Sequence, residues 1–410
     1  MPETTPRALA GLRVLDCTDR IANYCGKLFA ELGADVVLVE PPAGNELRTQ
    51  SPFVDEQPGP DTSIPFLVRN TSKRGLAADL ARPEGRALLL DLATKADLLI
   101  DDRPPGELKS LGLGPDKLRA TNPQLVVTSI TPFGRSGPYA QFAHADLICL
   151  ALGGLLWMGG YSNGPPVRVD GDQAYTAGSL FGAVGSMVAV THAELTGEGQ
   201  HVDVSVQESV TMGLENAAQF YDLEDRIRRR FGGTQKQAGF GVFPCADGHV
   251  CLIAGGIGGN RFWGNLVAWM RDDGLPEAEL LDRPEWAERS YLESEEAKEL
   301  FWGVFVTFAR EKSKQDLYHD AQSWRVPLCP VNRPSDLSAS RQLDARGYFT
   351  HVAHRERTVR LPGAPYRLSR TPWQLGGPAP SVGQHTEEVL LDYDIDVERI
   401  RQLKLEGVVT

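Results

Sequence analysis

The sequence predicts an α/β protein with a mainly parallel sheet in a large domain, accompanied by a second, smaller domain. Strand and helix patterns alternate through the first 200 residues, as is typical of βαβ units. After about residue 205 the pattern changes to longer helical segments rich in Trp and Glu. A chain of 410 residues is also longer than one hydrophobic core usually supports.

Each element has a local signal. Apolar runs at 11–18 and 35–40 predict the first two strands, and helical spacing over 21–32 predicts a helix between them that stops at Gly33. The same patterns predict strands at 74–80, 97–102, 124–134 and 239–254, and helices at 83–96 and 115–122. Composition places the smaller domain at 223–335, with both helices and strands.

The bulk composition excludes several classes of function. A net charge of −12 argues against a nucleic-acid partner, because phosphate backbones are bound by basic faces. The six cysteines contain no C-x-x-C pair and the eight histidines show no metal-ligand spacing, so we expect no metal site. No apolar run approaches a membrane span and the start lacks a signal-peptide pattern. We therefore expect a reduced, cytoplasmic protein that does not bind membranes.

The opening strand–helix–strand unit ends in Glu40, which raises a dinucleotide-binding alternative. The turn after the first strand, DCTDRIAN, contains no glycine, so its backbone cannot approach a pyrophosphate closely. The later stretch AGGIGGN at 254–260 follows a strand, but Arg261 stands where a third glycine is required. We therefore expect neither a nicotinamide nor a flavin cofactor.

Several stretches together resemble the family III CoA transferases, which include formyl-CoA and carnitine CoA transferases and the 2-methylacyl-CoA racemases. They cover nearly the whole chain in the family's order. Each stretch alone is weak evidence for the family. The matching stretches are ELGADVVLVEPPAGNELR (31–48), NTSKRGLAADLARPEGRALLLDLATKADLLID (70–101), LGLGPDKLRATNPQLVVTSITPFGRSGPYA (111–140), TGEGQHVDVSVQES (196–209), FPCADGHV (243–250), RGYF (346–349) and GPAPSVGQHTEEVL (377–390).

The resemblance implies a Rossmann-like large domain at 1–200, completed by a C-terminal return at 381–410. It also implies two long linkers, at 201–222 and 336–380, and a dimer whose chains interlock. The implied substrates are an acyl-CoA and a small carboxylic acid, with CoA as the transferred group. The partner is then a second copy of the chain or, alternatively, a paralogous subunit.

The implied mechanism is covalent. In the transferases an aspartate at a helix start attacks the thioester, which gives a mixed anhydride and CoA thiolate and then an enzyme–CoA thioester. Counted back from TGEGQ without gaps, this acid falls on Ala174 or Tyr175. Asp172 is then the best available nucleophile, and the alternative is that Asp172 only caps the following helix.

Two alternative functions remain, the first favoured by the absent acid at 174–175 and by the glycine-free turn at 21–23. A catalytically silent, CoA-binding subunit would pair with an acid-bearing paralogue. A racemase would need a histidine and an aspartate that exchange a proton, and His144 lies one residue from the family's position, beside Asp146.

The resemblance also implies CoA-binding residues. Lys73 and Arg74 match an Asn-x-x-Lys-Arg motif whose cations lie near the CoA phosphates, and Arg103 matches a turn beside the nucleotide. Arg20 falls where a side chain faces the site. The remaining implied elements are an acyl channel lined by Gly134, Gly137 and Pro138, and a cover loop at 232–241 or 254–260.

Overall fold

The computed structural model describes residues 6–214, 216–230, 232–233, 235–256, 261–354 and 357–410. The chain forms two compact units. The large unit comprises the chain up to Leu156, Val169–Leu223 and Asp344–Thr410, and the small unit comprises Trp157–Arg168 and Glu224–Leu343. Composition predicted a small domain at 223–335. It did not predict that residues 157–168 belong to the small unit.

The strands and helices are bounded as follows. In chain order the strands are β1 (Arg13–Cys17), β2 (Asp35–Glu40), β3 (Arg74–Ala77), β4 (Leu98–Asp101), β5 (Val126–Thr131), β6 (His201–Ser205), β7 (Phe240–Cys245), β8 (Gly248–Ile253), β9 (Leu328–Pro330), β10 (Phe349–His354) and β11 (Arg357–Pro362). The helices are α1 (Asn23–Glu31), α2 (Ile64–Arg69), α3 (Pro83–Ala93), α4 (Glu107–Ser110), α5 (Pro115–Thr121), α6 (Asp146–Leu152), α7 (Leu155–Met158), α8 (Gln173–Thr196), α9 (Val206–Met212), α10 (Ala217–Glu224), α11 (Arg261–Asp272), α12 (Arg289–Leu292), α13 (Glu295–Ala309), α14 (Lys314–Trp324), α15 (Pro334–Ser338), α16 (Arg341–Ala345), α17 (Thr386–Asp392) and α18 (Val397–Leu405).

The large unit is built on a six-stranded parallel sheet with the order β3-β2-β1-β4-β5-β6. Residues of β2, β4 and β5 are almost all buried, because helices cover both faces of the sheet. This is the Rossmann strand order: β2 and β3 are added on one side of β1, and β4, β5 and β6 on the other, so the order reverses between β1 and β4. The predicted α/β class with a parallel sheet is confirmed.

Two hydrophobic cores lie on the two faces of this sheet. One contains residues of α3 and α5 together with the C-terminal helices α17 and α18. The other contains residues of α1, α6, α8 and α9. The C-terminal segment also bonds the edge strand β3, since the Gly75 amide donates to His385 Nδ1 over 3.1 Å. The last helices are therefore part of the large unit.

Helix α8 is 24 residues long and meets the length and composition of a membrane span. Core helices of globular proteins pass the same test, and α8 buries Gly178, Gly182 and Ser186 in the large unit. An added Cβ at Gly182 would lie 2.4 Å from Ile130 Cδ1, so the helix packs closely against β5 and a larger residue there would displace the Ile130 side chain. The helix is an element of this α/β unit.

The small unit has its own core and sheet. Strands β7, β8 and β9 form an antiparallel sheet in that order. Its centre is aromatic: Trp263 stacks on Trp286 with ring centroids 4.8 Å apart, and Phe301 and Phe305 stack on each other. Aromatic pairs of this kind contribute beyond their buried area. The small unit is thus a separate hydrophobic cluster.

Candidate active site at the carboxyl ends of the parallel strands

A cavity of about 710 Å³ opens in the large unit at the carboxyl ends of β1, β2 and β4. In the β1–β4 ladder Cys17 is paired with Asp101, so the loops that follow these strands start side by side. In open α/β sheets, ligands bind in the crevice where strand order reverses. This cavity is therefore the candidate substrate site.

One buried carboxylate holds the loop that forms the cavity wall. Asp102 accepts hydrogen bonds from four consecutive backbone amides, those of Asp19, Arg20, Ile21 and Ala22, over 2.8, 3.1, 2.7 and 3.1 Å. The amides of the glycine-free turn at 16–23 therefore bind a carboxylate of the protein itself, that of Asp102. This role of Asp102 is not visible in the sequence, because two adjacent acids after a strand give no sign of their partners.

Arg20 and Arg103 are the arginines that line the cavity. The Arg20 guanidinium contacts Glu46 over 2.9 Å, and its side chain is 42% exposed. Arg103 is more buried and donates to Asp101 Oδ1 over 2.8 Å. Both predicted residues are thus at the cavity, and each guanidinium is paired with a carboxylate of the chain.

The fold places Lys73 and Arg74 away from the wall of this cavity. The Lys73 ammonium is fully buried and donates to Asp16 Oδ2, Asn23 O and Asn70 Oδ1 over 2.6, 2.7 and 2.7 Å. Arg74 lies at the amino end of β3, opposite the cavity, and forms a bidentate pair with Asp35. Neither residue lines the cavity, so their contact with CoA phosphates stays a prediction that this geometry does not support.

The carboxylates around the cavity are largely compensated by their own partners. Glu40 forms a buried bidentate ion pair with Arg48 over 2.7 and 2.8 Å. Asp102 is held by the four amides described above. The Cys17 thiol also lines the cavity, and burial raises its pKa to about 12. Cys17 is therefore protonated at neutral pH and a poor nucleophile.

The carboxyl group of Asp101, beside Arg103, is buried and only partly hydrogen-bonded. It is fully buried, Oδ1 accepts the Arg103 bond, and Oδ2 has no hydrogen-bond partner among the described residues. Burial raises the pKa of Asp101 to about 7, against the opposing effect of Arg103. The folded protein thus retains a proton on Asp101 that the unfolded chain loses near pH 3.8.

This shift predicts a pH-dependent stability. Between pH 3.8 and about 7 the folded state binds the extra proton, so the free energy of unfolding decreases as pH rises through that window. Across this window the free energy of unfolding of the wild type should fall by on the order of a few kcal/mol. In Asp101→Asn this decrease should be absent. Urea unfolding at a series of pH values measures it. The control is Asp97→Asn, at an exposed aspartate that accepts a hydrogen bond from the Arg13 amide. If the free energy of unfolding has the same pH slope in wild type and Asp101→Asn, the prediction is wrong.

The start of α8 holds no acid at the position expected from the ungapped count. Ala174 and Tyr175 are buried, and their amides donate to Asp146 Oδ1 over 2.8 and 3.1 Å. Asp172 occupies the N-cap position, but its carboxylate forms no capping bond and instead pairs with Arg69 over 2.9 Å. Asp172 is thus the N-cap residue, as the alternative reading of the sequence expected, but the side-chain contact to the first amides comes from Asp146.

The remaining predicted residues lie along the segment that leads from β5 to the cavity. Gly134 and Gly137 have φ values of +81° and +97°, a region that favours glycine, and Pro138 follows. Further on, His144 lines the cavity and its Nδ1 lies 3.1 Å from the Tyr175 hydroxyl. Both candidate cover loops include positions outside the described residues, namely 234 and 257–260.

Comparisons with known proteins agree with this α/β fold. Over 97% of both chains, the protein is 42% identical to the subunit BbsE of succinyl-CoA:(R)-benzylsuccinate CoA-transferase from Thauera aromatica. It is 30% identical to the alpha subunit of succinyl-CoA–L-malate CoA-transferase from Chloroflexus aurantiacus, over 98% of this chain and 92% of that one. A CAIB/BAIF family protein from Brucella suis superposes with a TM-score of 0.85 at 26% identity, covering 95% of this chain and all of that one.

The family comparison extends over nearly the whole chain. Residues 9–386 match the model of CoA-transferase family III. That span includes the complete parallel sheet, both cavity arginines and the start of α8. The chain therefore belongs to CoA-transferase family III and is a transferase.

Proposed function

We propose that this chain is the CoA-binding subunit of a transferase that moves CoA from succinyl-CoA to a carboxylic acid, and that a paralogous chain supplies the nucleophilic acid. The start of α8 carries this proposal. Buried Ala174 and Tyr175 occupy the position expected for the acid, and the Tyr175 hydroxyl is hydrogen-bonded to His144. A phenol whose pKa burial raises further cannot replace a carboxylate nucleophile.

The cavity supports CoA binding by this chain. Its volume is within the usual range for small-molecule and cofactor sites. The exposed pair between Arg20 and Glu46 is weak, since ion pairs at solvent-exposed positions contribute little. A phosphate of CoA can therefore replace Glu46 at the Arg20 guanidinium, with Arg103 as the second cation.

An uncovered face of α8 supports pairing with a second chain. Leu180, Phe181, Val184 and Val188 lie near one another along this helix, and each is at least 43% exposed in the isolated chain. Contiguous apolar surface of this kind marks interaction sites. Two similar proteins are named as subunits of CoA transferases. These observations favour a mixed dimer, with a homodimer as the alternative.

The second candidate is a complete transferase in which Asp172 is the nucleophile. One observation favours it: the Asp172 carboxylate is 41% exposed at the first turn of α8. The Arg69 guanidinium lies 2.9 Å from this carboxylate. The racemase alternative is disfavoured, since the His144 imidazole is engaged with Tyr175 rather than with an acid.

The two candidates differ in a trapping experiment. The purified chain, alone and mixed with an acid-bearing family member from the same source, is incubated with succinyl-CoA and a carboxylic acid acceptor, treated with hydroxylamine, and mapped by mass spectrometry. We expect the chain alone to bind CoA in calorimetry without forming an adduct. The mixture should transfer CoA and carry the adduct on the partner's aspartate.

Two variants complete the test. Asp172→Asn should leave the activity of the mixture within about twofold of wild type, because in this proposal Asp172 takes no part in catalysis. Asp170→Asn, two residues away, is the matched control. An adduct on Asp172, or transfer by the isolated chain that Asp172→Asn abolishes, would establish the second candidate instead.

A further inference from the structure

Two cysteines face each other across the antiparallel sheet of the small unit. In the β8–β9 ladder Cys251 is the direct partner of Cys329. Hydrogen bonds from Ile253 N to Pro327 O and from Val331 N to His249 O flank the pair, so it falls at a hydrogen-bonded position of the ladder. Cα atoms at such positions are about 5.5 Å apart. That separation lies within the range that a disulfide spans.

Both thiols lie on the face of this sheet that points away from the core. The neighbours Val250, Leu252 and Leu328 are buried, whereas Cys251 is half-buried and Cys329 is exposed. The alternation of side chains along a strand produces this arrangement. Burial, and after it the nearby Cys329 thiol, raise the pKa of Cys251.

We propose that Cys251 and Cys329 form a reversible dithiol–disulfide site that reacts with small-molecule disulfides. A cavity of about 340 Å³ is lined by both cysteines, so a small reagent has access to the pair. Gln322 and Arg325 line the same cavity, and the guanidinium favours a carboxylate-bearing disulfide such as glutathione disulfide. The site lies within the small unit and is independent of the proposed transferase role.

The reaction proceeds in two exchange steps. The Cys329 thiol loses a proton and its sulfur attacks one sulfur of the reagent, which breaks the reagent's S–S bond and releases one small thiol. The Cys251 sulfur, after losing its proton, attacks the Cys329 sulfur of the mixed disulfide and releases the second small thiol. In sum, two protein thiols are oxidised to one disulfide and one reagent disulfide is reduced to two thiols.

The local geometry makes this disulfide reversible. At hydrogen-bonded positions the Cβ atoms are farther apart than a relaxed disulfide prefers, so closure requires β9 to move toward β8. Strand β9 has three residues and is an edge strand, which allows that movement. Strained or exposed disulfides are the labile ones. A reversible site is therefore expected rather than a permanent structural bridge.

The other cysteines provide internal controls. Cys17, Cys25 and Cys149 are buried, and burial raises the pKa of each thiol, which opposes their reaction. Cys245 is half-buried like Cys251, but its Sγ contacts Asp247 over 3.6 Å. Selective oxidation of the 251–329 pair is thus distinguishable from general oxidation of the chain.

The test is a titration of the full chain with glutathione redox buffers, followed by alkylation of free thiols and peptide mass spectrometry. Wild type should lose two alkylatable thiols together and yield a peptide pair linked through 251 and 329, which excess reduced glutathione restores. Cys329→Ser should give no linked pair, and Cys245→Ser should match wild type.

Three results would overturn the proposal. They are no reaction at the pair, a persistent mixed disulfide on Cys329 without the 251–329 link, and a link between two chains that appears on non-reducing gels. Cys329 is exposed on a short strand, so serine is not expected to impair folding. The wild-type titration is in any case decisive without the variants.

Discussion

Lys73→Met is expected to lower the free energy of unfolding by about 3–5 kcal/mol, the usual effect of removing one partner of a buried ion pair. The Lys73 ammonium and the Asp16 carboxylate have no solvent exposure and lie 2.6 Å apart. Without the ammonium, Asp16 is a buried charge with no cation, and Asn23 O and Asn70 Oδ1 also lose a donor. Chemical denaturation followed by circular dichroism measures the change.

The control for this variant is Lys95→Met, since Lys95 pairs with Asp394 at the surface. It should change stability little, because surface pairs contribute little. The double variant Asp16→Asn with Lys73→Met should be more stable than Lys73→Met alone, since it removes the unpaired charge. If Lys73→Met is instead stable and binds CoA weakly, Lys73 has the phosphate-binding role that its motif predicts.

Asp102→Ala is expected to weaken CoA binding by about tenfold or more and to destabilise the large unit by about 3 kcal/mol. The four amides of 19–22 lose their shared acceptor, and each buried donor left without a partner costs about 1–3 kcal/mol unless water reaches it. Arg20 belongs to this loop, so its guanidinium loses its position at the cavity. Calorimetric titration with CoA and urea unfolding give the two quantities.

Asp102→Asn is the matched variant, because it retains one acceptor oxygen in nearly the same volume. It should recover part of both losses. Asp97→Asn controls for the loss of a carboxylate elsewhere on the sheet, where a single amide is bound at an exposed position. Unchanged CoA affinity in Asp102→Ala would mean that the 19–22 loop does not position the ligand.

The fold class could be predicted because its signals are local. The apolar runs that form β1, β2 and β5 are buried on both faces, which is the pattern of a covered parallel sheet. Gly33 adopts φ +106° just after α1, as its position at the end of a helical pattern predicted. Neighbouring residues decide such features, so one sequence suffices to recognise them.

The site was only partly predictable. Arg20 and Arg103 line the cavity, whereas Lys73 and Arg74, adjacent in sequence, point to different parts of the large unit. Successive side chains at a strand start face opposite directions, and a motif does not state which of them meets the ligand. An added Cβ at Gly26 would lie 2.0 Å from Asp16 Oδ2, yet nothing in the sequence links that glycine to the Lys73 ion pair.

The sequence by itself determined the alternating α/β class, the acidic net charge, the absence of a dinucleotide fingerprint and the lack of an acid at 174–175. Only the tertiary structure decided that Asp102 anchors the 19–22 loop, that Asp146 rather than Asp172 contacts the start of α8, and that Cys251 meets Cys329. The physical reason is distance along the chain. Strand and helix signals act over a few residues, whereas these contacts join positions 28 to 83 residues apart, which only the packed sheet and its ladders bring together.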